Sequence, residues 1–235
     1  MSQEASSTSP EPGHRNGPPS ARTTVRRGAN RAVYAADRVR DILAAGVIAH
    51  VGVSTDDGPI VLPMAYGVRG DGEAAEMLIH GAVANAMMRA GRGLDVCATV
   101  TIVDGLVVAR TPFHNSMNYR SVVVRGTATA ITDPVEKNRA LQVINDHVVA
   151  MWDTARPPSD SDLKKTMVLS LPLTEASAKM RDGDPIDEEI DMDGPYWAGV
   201  IPLATTWGAP KDAADLRVAT TPPAAVAALT GRSAH

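Results

Sequence analysis

Polar side chains recur at every second position through His114-Asn115-Ser116-Met117-Asn118-Tyr119-Arg120. In an extended chain that spacing puts His114, Ser116, Asn118 and Arg120 on one side, with Met117, Tyr119 and Ser121 on the other. Three hydrogen-bonding groups beside a guanidinium suit a cleft that takes an anion, since Arg is shaped for bidentate contact. A subunit contact would use the same row, and Tyr119 fits a core equally well. His80 precedes Gly81, where backbone can approach a ligand closely; a strand-end histidine bonded to backbone is the plainer alternative. The segment 81–88 opens a short helix whose free N–H groups and dipole favour an anion. Asn85 and Arg89 are its polar side chains. In the competing reading Met87 and Met88 are core and Arg89 is a solvated charge. Pro63 and Met64 interrupt an apolar strand pattern, and proline cannot donate to a ladder, so an edge or bulge is expected there. Tyr66 follows, either presented to a ligand or packed. Only 3% of residues are aromatic, which makes Trp197, just ahead of AGVIPL, informative. Trp152 and Trp207 suit helix-end and tail packing. His50 and His147 suit structural roles, and Cys97 an inert buried thiol. No Ser/His/Asp arrangement or carboxylate pair for hydrolytic chemistry emerges.

The elements that must position these residues follow from periodicity. Val33, Val39, Ile42 and Leu43 share a face of a helix over 31–45, closed by Gly46. Residues 46–54 and 60–68 are strands about an Asp56-Asp57-Gly58 turn, 76–80 is a third strand, and 82–91 a short helix. DVCATVTIV and LVVART flank Asp104-Gly105, which predicts a two-residue hairpin with positive φ at both central residues. A long alternating strand over 119–132 leads to a helix starting at Pro134, capped by Thr132 or Asp133 and reaching about Trp152. Strands at 166–173 and 197–203 flank an acidic connector at 182–193. Hairpin-linked strands with few helices imply a mainly β, antiparallel barrel rather than a parallel sheet. Neither G-x-G-x-x-G after the first strand nor G-x-x-x-x-G-K-[ST] occurs, so a nucleotide would be held by neither a Rossmann fold nor a P-loop.

Composition sets the outer limits. The 235 residues carry a formal net charge of −4, and basic residues are scattered, which argues against a nucleic-acid partner. One cysteine excludes an internal disulfide, and no Cys/His spacing matches a structural metal site. No apolar run is long enough to cross a membrane. A cytoplasmic location is expected. Residues 1–24, rich in Ser, Pro, Gly and charge, are expected to be a disordered tail without a secretory signal. One domain over 25–216 and a C-terminal tail over 217–235 complete the expectation.

GVIAHVGVSTDDGPIVLPMAYGV, LIHGAVANAMMRAG and VTIVDGLVVARTPFHNSMNYRSVVVRG resemble flavin-nucleotide-binding proteins related to pyridoxamine 5′-phosphate oxidase, a group that includes nitroimidazole-resistance reductases. ARPPSDSDLKKTMVLSLPLTEASAKMRDGDP and YWAGVIPL extend the likeness, which covers roughly residues 27–210. DGLVVAR…HNSMNYRSVVV is its specific part. The resemblance implies a split β-barrel that forms a homodimer through its sheet faces, with flavin sites in the clefts between protomers. It implies Pro63, Met64 and Tyr66 along the isoalloxazine ring, His80 and Gly81 in the pocket, and the phosphate over 81–88. Relatives commonly carry a hydroxyl or Gly, then Arg or Lys, on that turn. Asn85 and Ala86 stand there in this chain, leaving the phosphate to backbone amides, Asn85 and Arg89. Asn118 and Arg120 would line the cleft, and Trp197 would reach the partner's cofactor.

The function so implied is a flavin-dependent oxidoreductase acting on a small-molecule substrate. FMN is the expected cofactor, and the deazaflavin F420 the alternative, because Ala86 replaces a cation. A non-catalytic flavin or haem-binding protein of the same fold is the second reading, and haem would need an axial ligand such as His80 or His114. A barrel that has lost its cofactor and serves only as an interaction module is the third.

Overall fold

The computed structural model describes residues 17–83, 85–91, 93 and 95–235. Strand β1 (Ala32–Val33) precedes helix α1 (Ala36–Ala45). Val39, Ile42 and Leu43 are buried on one face of α1, as i, i+3, i+4 spacing predicts. The helix starts later than expected because Val33 pairs with Ala178 in a sheet. Gly46 is extended, with φ −79°, and so is not a left-handed stop. A Cβ there would lie 2.4 Å from Val100 Cγ1 and 2.9 Å from the Tyr66 hydroxyl; close packing, not a turn, demands the glycine.

Strands β2 (Ala49–Thr55) and β3 (Gly58–Met64) form the expected hairpin. Across Ala65 the chain enters a second sheet as β4 (Tyr66–Arg69), followed by β5 (Glu76–Ala82) and helix α2 (Ala86–Gly91). Strand β6 (Asp95–Val108) runs straight through Asp104-Gly105, which corrects the predicted hairpin. Its partner β7 (Ser116–Thr127) sets Val103 opposite Tyr119 and Gly105 opposite Asn118. Asp104 is therefore the extra residue of a β-bulge. The expected turn needs positive φ at both residues, and neither has it.

Past buried Ala128 the chain changes sheet again as β8 (Thr129–Ala130). Helix α3 (Pro134–Val148) is capped by Asp133, whose carboxylate accepts from the Val135 and Glu136 N–H groups. It stops short of Trp152. Helix α4 (Asp160–Lys165) opens with a Ser159/Asp162 capping box and feeds β9 (Thr166–Pro172). Strand β10 (Ala176–Arg181), helix α5 (Glu189–Met192), strand β11 (Gly199–Pro202) and helix α6 (Ala224–Ala227) follow.

One sheet has the order β1-β10-β7-β6-β2-β3, with β11 on the far half of β6; the other is β4-β5-β9-β8. All pairings are antiparallel. The chain passes between sheets at 65, through α2, at 128 and at 173–175, giving the mainly β split barrel that the residue pattern implied. Val51, Val100, Ile102, Val122, Met77, Ile79 and Leu169 fill its interior, with α1 against them. Leu78 and Val168 face outward and meet Ala140 and Ile144 of α3. Among the described residues no helix is long and apolar enough to cross a membrane.

Of the segment expected to be an N-terminal tail, residues 1–16 lie outside the described residues. Residues 17–24 dock: Thr23 is buried, Ser20 Oγ donates to Glu175 Oε2 at 2.5 Å, and Arg22 pairs with Asp95 at 3.4 Å.

One buried knot ties α1, the second sheet and α3 together. Tyr66 donates its hydroxyl toward Leu43 O (2.5 Å) and Gly46 O (2.9 Å), and His147 Nε2 lies 2.7 Å from Gly46 O. The two rings stand 4.6 Å apart. Tyr66→Phe would leave buried carbonyls short of a donor, a loss of about 1–3 kcal/mol. We expect its urea midpoint to fall accordingly with an unchanged m-value; an unaltered midpoint would show that the hydroxyl is dispensable.

Candidate functional site

Alternation along β5 decides which side chains meet which surroundings. Met77 and Ile79 enter the barrel, Leu78 enters the cluster beneath α3, and His80 comes next in that outward row. His80 lines a cavity of about 410 Å³ between β5, α3 and α4. Its walls are largely apolar, with Ala65 on the sheet side, Leu141, Ile144 and Val148 on α3, Leu163 on α4 and Trp152 at the end, and with Asn145, Asp162 and Thr166 as the other polar groups. His80 Nδ1 is buried with no hydrogen-bond partner. Burial also lowers the His80 pKa, which favours the neutral ring. His80 is thus a half-buried imidazole on the wall of a largely apolar cavity with one nitrogen that makes no hydrogen bond, chemistry that could serve a metal. Asp162 lies at the edge; hydrogen bonds from Ser159 backbone and side chain, then Arg156, push its carboxyl down to about 2. It stays ionised and tied to its capping box.

The other expected site residues fall into two groups. Met64 and Gly81 come together under α2: a Cβ on Gly81 would lie 2.8 Å from Met88 Cγ and 3.7 Å from Met64 Cε. The small residue at Gly81 thus admits Met88, where a ligand was expected. Asn85 Oδ1 accepts from Met87 N at 2.9 Å and Met88 N at 3.4 Å, so it caps α2. Arg89 is exposed and donates to Val83 O at 3.3 Å. Pro63 faces outward on β3, opposite in direction to Met64.

Tyr66, expected along a cofactor ring, is fully buried in the knot described above. This is a correction: its position begins a strand of the second sheet, and its hydroxyl serves α1.

The second group surrounds the bulge. Arg120 donates to Asp104 through Nε (3.0 Å to Oδ2) and an Nη (2.7 Å to Oδ1), a forked pair that raises the Arg120 pKa. Asn118 is buried, and its Oδ1 accepts from Arg181. Arg181 also donates to Gly183 O (3.1 Å) and Asp184 O (2.8 Å), pinning the start of the acidic connector. Arg110 holds Asp187 at 2.8 Å. The expected anion cleft is, in this chain, an internally balanced polar network. His114 Nε2 lies 3.7 Å from Glu188 Oε1. Trp197, 65% exposed, stands at the start of β11.

Sequence reasoning missed the α3 and α4 wall. Leu141, Ile144 and Val148 are indistinguishable in sequence from an ordinary core stripe, and Trp152 fitted helix-end packing. Arg181 and Asp104 were missed because a bulge carries no residue signature as specific as a turn.

A family model for pyridoxamine 5′-phosphate oxidase matches residues 35–180. The flavocytochrome Anf3 from Azotobacter vinelandii is 33% identical over 92% of this chain and 100% of that one, with a TM-score of 0.85. An FAD and haem binding protein from Mycobacterium smegmatis is 31% identical over 87% of this chain and 98% of its own, with a TM-score of 0.80. A Bacteroides thetaiotaomicron protein assigned to 5-nitroimidazole antibiotic resistance is 23% identical over 63% of this chain and 85% of its own, TM-score 0.51, and shares the fold. No curated protein matches.

The buried imidazoles make stability depend on pH. Burial lowers the pKa of both His80 and His147 below the unfolded value of about 6.5. The unfolded chain therefore takes up protons first. This contribution is intact above that value and is lost as pH falls through it toward the folded pKa. We expect the urea midpoint of protein without added cofactor to drop between about pH 7.5 and about pH 5, and to drop less in His80→Leu. Equal drops would show that His80 titrates alike folded and unfolded.

Proposed function

The chain belongs to the pyridoxamine 5′-phosphate oxidase family, and on that footing we propose that it is a flavin- and haem-binding redox protein acting as a homodimer. The observation that carries the haem half is His80, half-buried on the wall of a largely apolar cavity, with an Nδ1 that is buried and makes no hydrogen bond. The donor chemistry fits: one imidazole on a mostly apolar wall, the single lining carboxylate, Asp162, tied up by Ser159, and two relatives above 30% identity that are a flavocytochrome and an FAD and haem binder. His114 is the weaker ligand, because Glu188 faces it. Haem bound there would supply one-electron chemistry, and flavin the two-electron end. His80 would hold the iron; Leu141, Ile144 and Trp152 would exclude water from it. Asp162, ionised and fixed by Ser159, would keep the entrance polar.

The flavin is FAD, not FMN or F420, as in the Mycobacterium smegmatis relative that binds FAD. Within one chain the expected contacts stand apart: Met64, Gly81 and Asn85 about α2, Asn118 and Arg120 at the bulge. In the proposed dimer, Met64 and Arg89 of one copy lie on the cleft that Trp197 of the other reaches, while Pro63 faces the opposite side of β3. Asn85 and Arg120 act there chiefly by positioning backbone, since both side chains already have partners. The reaction is oxidation or reduction of a small molecule.

The test is optical. Protein reconstituted separately with haem and with FAD should show a shifted Soret band and quenched flavin fluorescence. His80→Ala should weaken haem binding beyond the about 10–100-fold that loss of an outer-shell group costs, leaving FAD binding intact. His114→Ala should change neither. A His80→Ala protein with a wild-type Soret maximum and affinity would overturn the assignment.

A further inference from the structure

We infer that the C-terminal arm, residues 203–235, is an exchanged element that packs on the barrel of a second copy of this chain. The inference rests on the dimeric reading above and adds which part of the chain makes the exchange. After β11 the chain leaves its own sheet. Leu203 N donates to Asp104 O at 3.0 Å. Beyond it, among the described residues, no hydrogen bond or ion pair joins 204–235 to the rest of the chain. The arm closes on itself instead: Thr206 bridges Ser233, Trp207 N donates to Arg232 O at 3.0 Å, and Gly231 N to Trp207 O at 2.8 Å. From 203 to 222 every residue except Trp207 is exposed.

Such an arm has too little to hold it. Fixing each backbone residue costs about 1–2 kcal/mol, and one bridge with a four-residue helix offsets little of that. The apolar side chains Leu203, Leu216 and Val218 face water. The total surface makes the same point. The lone chain exposes 15,043 Å², where a monomer of 24.7 kDa should expose about 10,000 Å². Granting the sixteen residues outside the described range a fully extended area of about 2,400 Å² still leaves a surplus of about 2,600 Å². A standard interface needs only about 800 Å² from each partner.

The same chain offers a surface to receive the arm. On the outer face of the larger sheet Val61 is 61% exposed and Met117 49% exposed, with Pro63 also outward. An uncovered face and an unsupported arm on one polypeptide satisfy each other reciprocally in a two-fold dimer, and the contact then closes.

Sedimentation velocity over a micromolar range tests this on the full chain, a truncation ending at Leu203, and Leu216→Asp/Val218→Asp. The wild type should be a dimer, and both variants should dissociate at least tenfold more readily while keeping the barrel's circular dichroism. The double substitution keeps the test decisive should the truncation fail to fold. In wild type, amides of 203–222 should exchange slowly and lose protection on dilution. A monomeric wild type would overturn the dimer itself. A dimeric wild type whose double variant dissociates no more readily, with arm amides unprotected, would overturn the exchanged arm alone.

Discussion

The second sheet is buried on both faces, and that constraint organises the site. Its strands must supply one row of side chains to the barrel and another to α3. On β5 the inward row is Met77 and Ile79, and the outward row is Glu76, Leu78 and His80. Each outward residue meets a different answer. Glu76 is met by Arg69 and Ser170, Leu78 by Ala140 and Ile144, and His80 Nδ1 by nothing. Leaving a buried polar atom unpartnered costs about 1–3 kcal/mol.

Helix α3 is placed with little freedom. Asp133 fixes its start, Ala140 and Ile144 seat it on the sheet, and His147 joins its last turn to Gly46. The cavity opens where the helix ends, and Trp152 with α4 closes the far side.

A single inserted residue shapes the opposite side of the molecule. Asp104 bulges out of β6, turns its carboxylate to Arg120, and offers its carbonyl to Leu203. The neighbouring Arg181 and Arg110 hold the acidic connector that leads to β11. The bulge therefore sets where the arm leaves the barrel.

Much of this architecture was legible in the residues. Alternation gave β2, β5, β7 and β9, Asp133-Pro134 gave the start of α3, and hairpin spacing gave the antiparallel barrel, because these signals are local. The His80-Gly81 and Asn85 positions were legible as polar points on apolar elements, but their roles were not. Whether Asn85 caps a helix or holds an anion depends on backbone two residues away, and whether Tyr66 faces a ligand depends on α1 lying behind it. Asp104-Gly105 is the clearest division. The pair permits a hairpin, but continuous pairing of both flanks with β7 keeps the ladder and relegates Asp104 to a bulge. Sequence by itself determined which segments are strands and helices and which residues carry polar chemistry. Only the tertiary structure decided which polar groups satisfy one another, because that depends on distances between segments far apart in the chain, and so it alone left the Nδ1 of His80 without a partner.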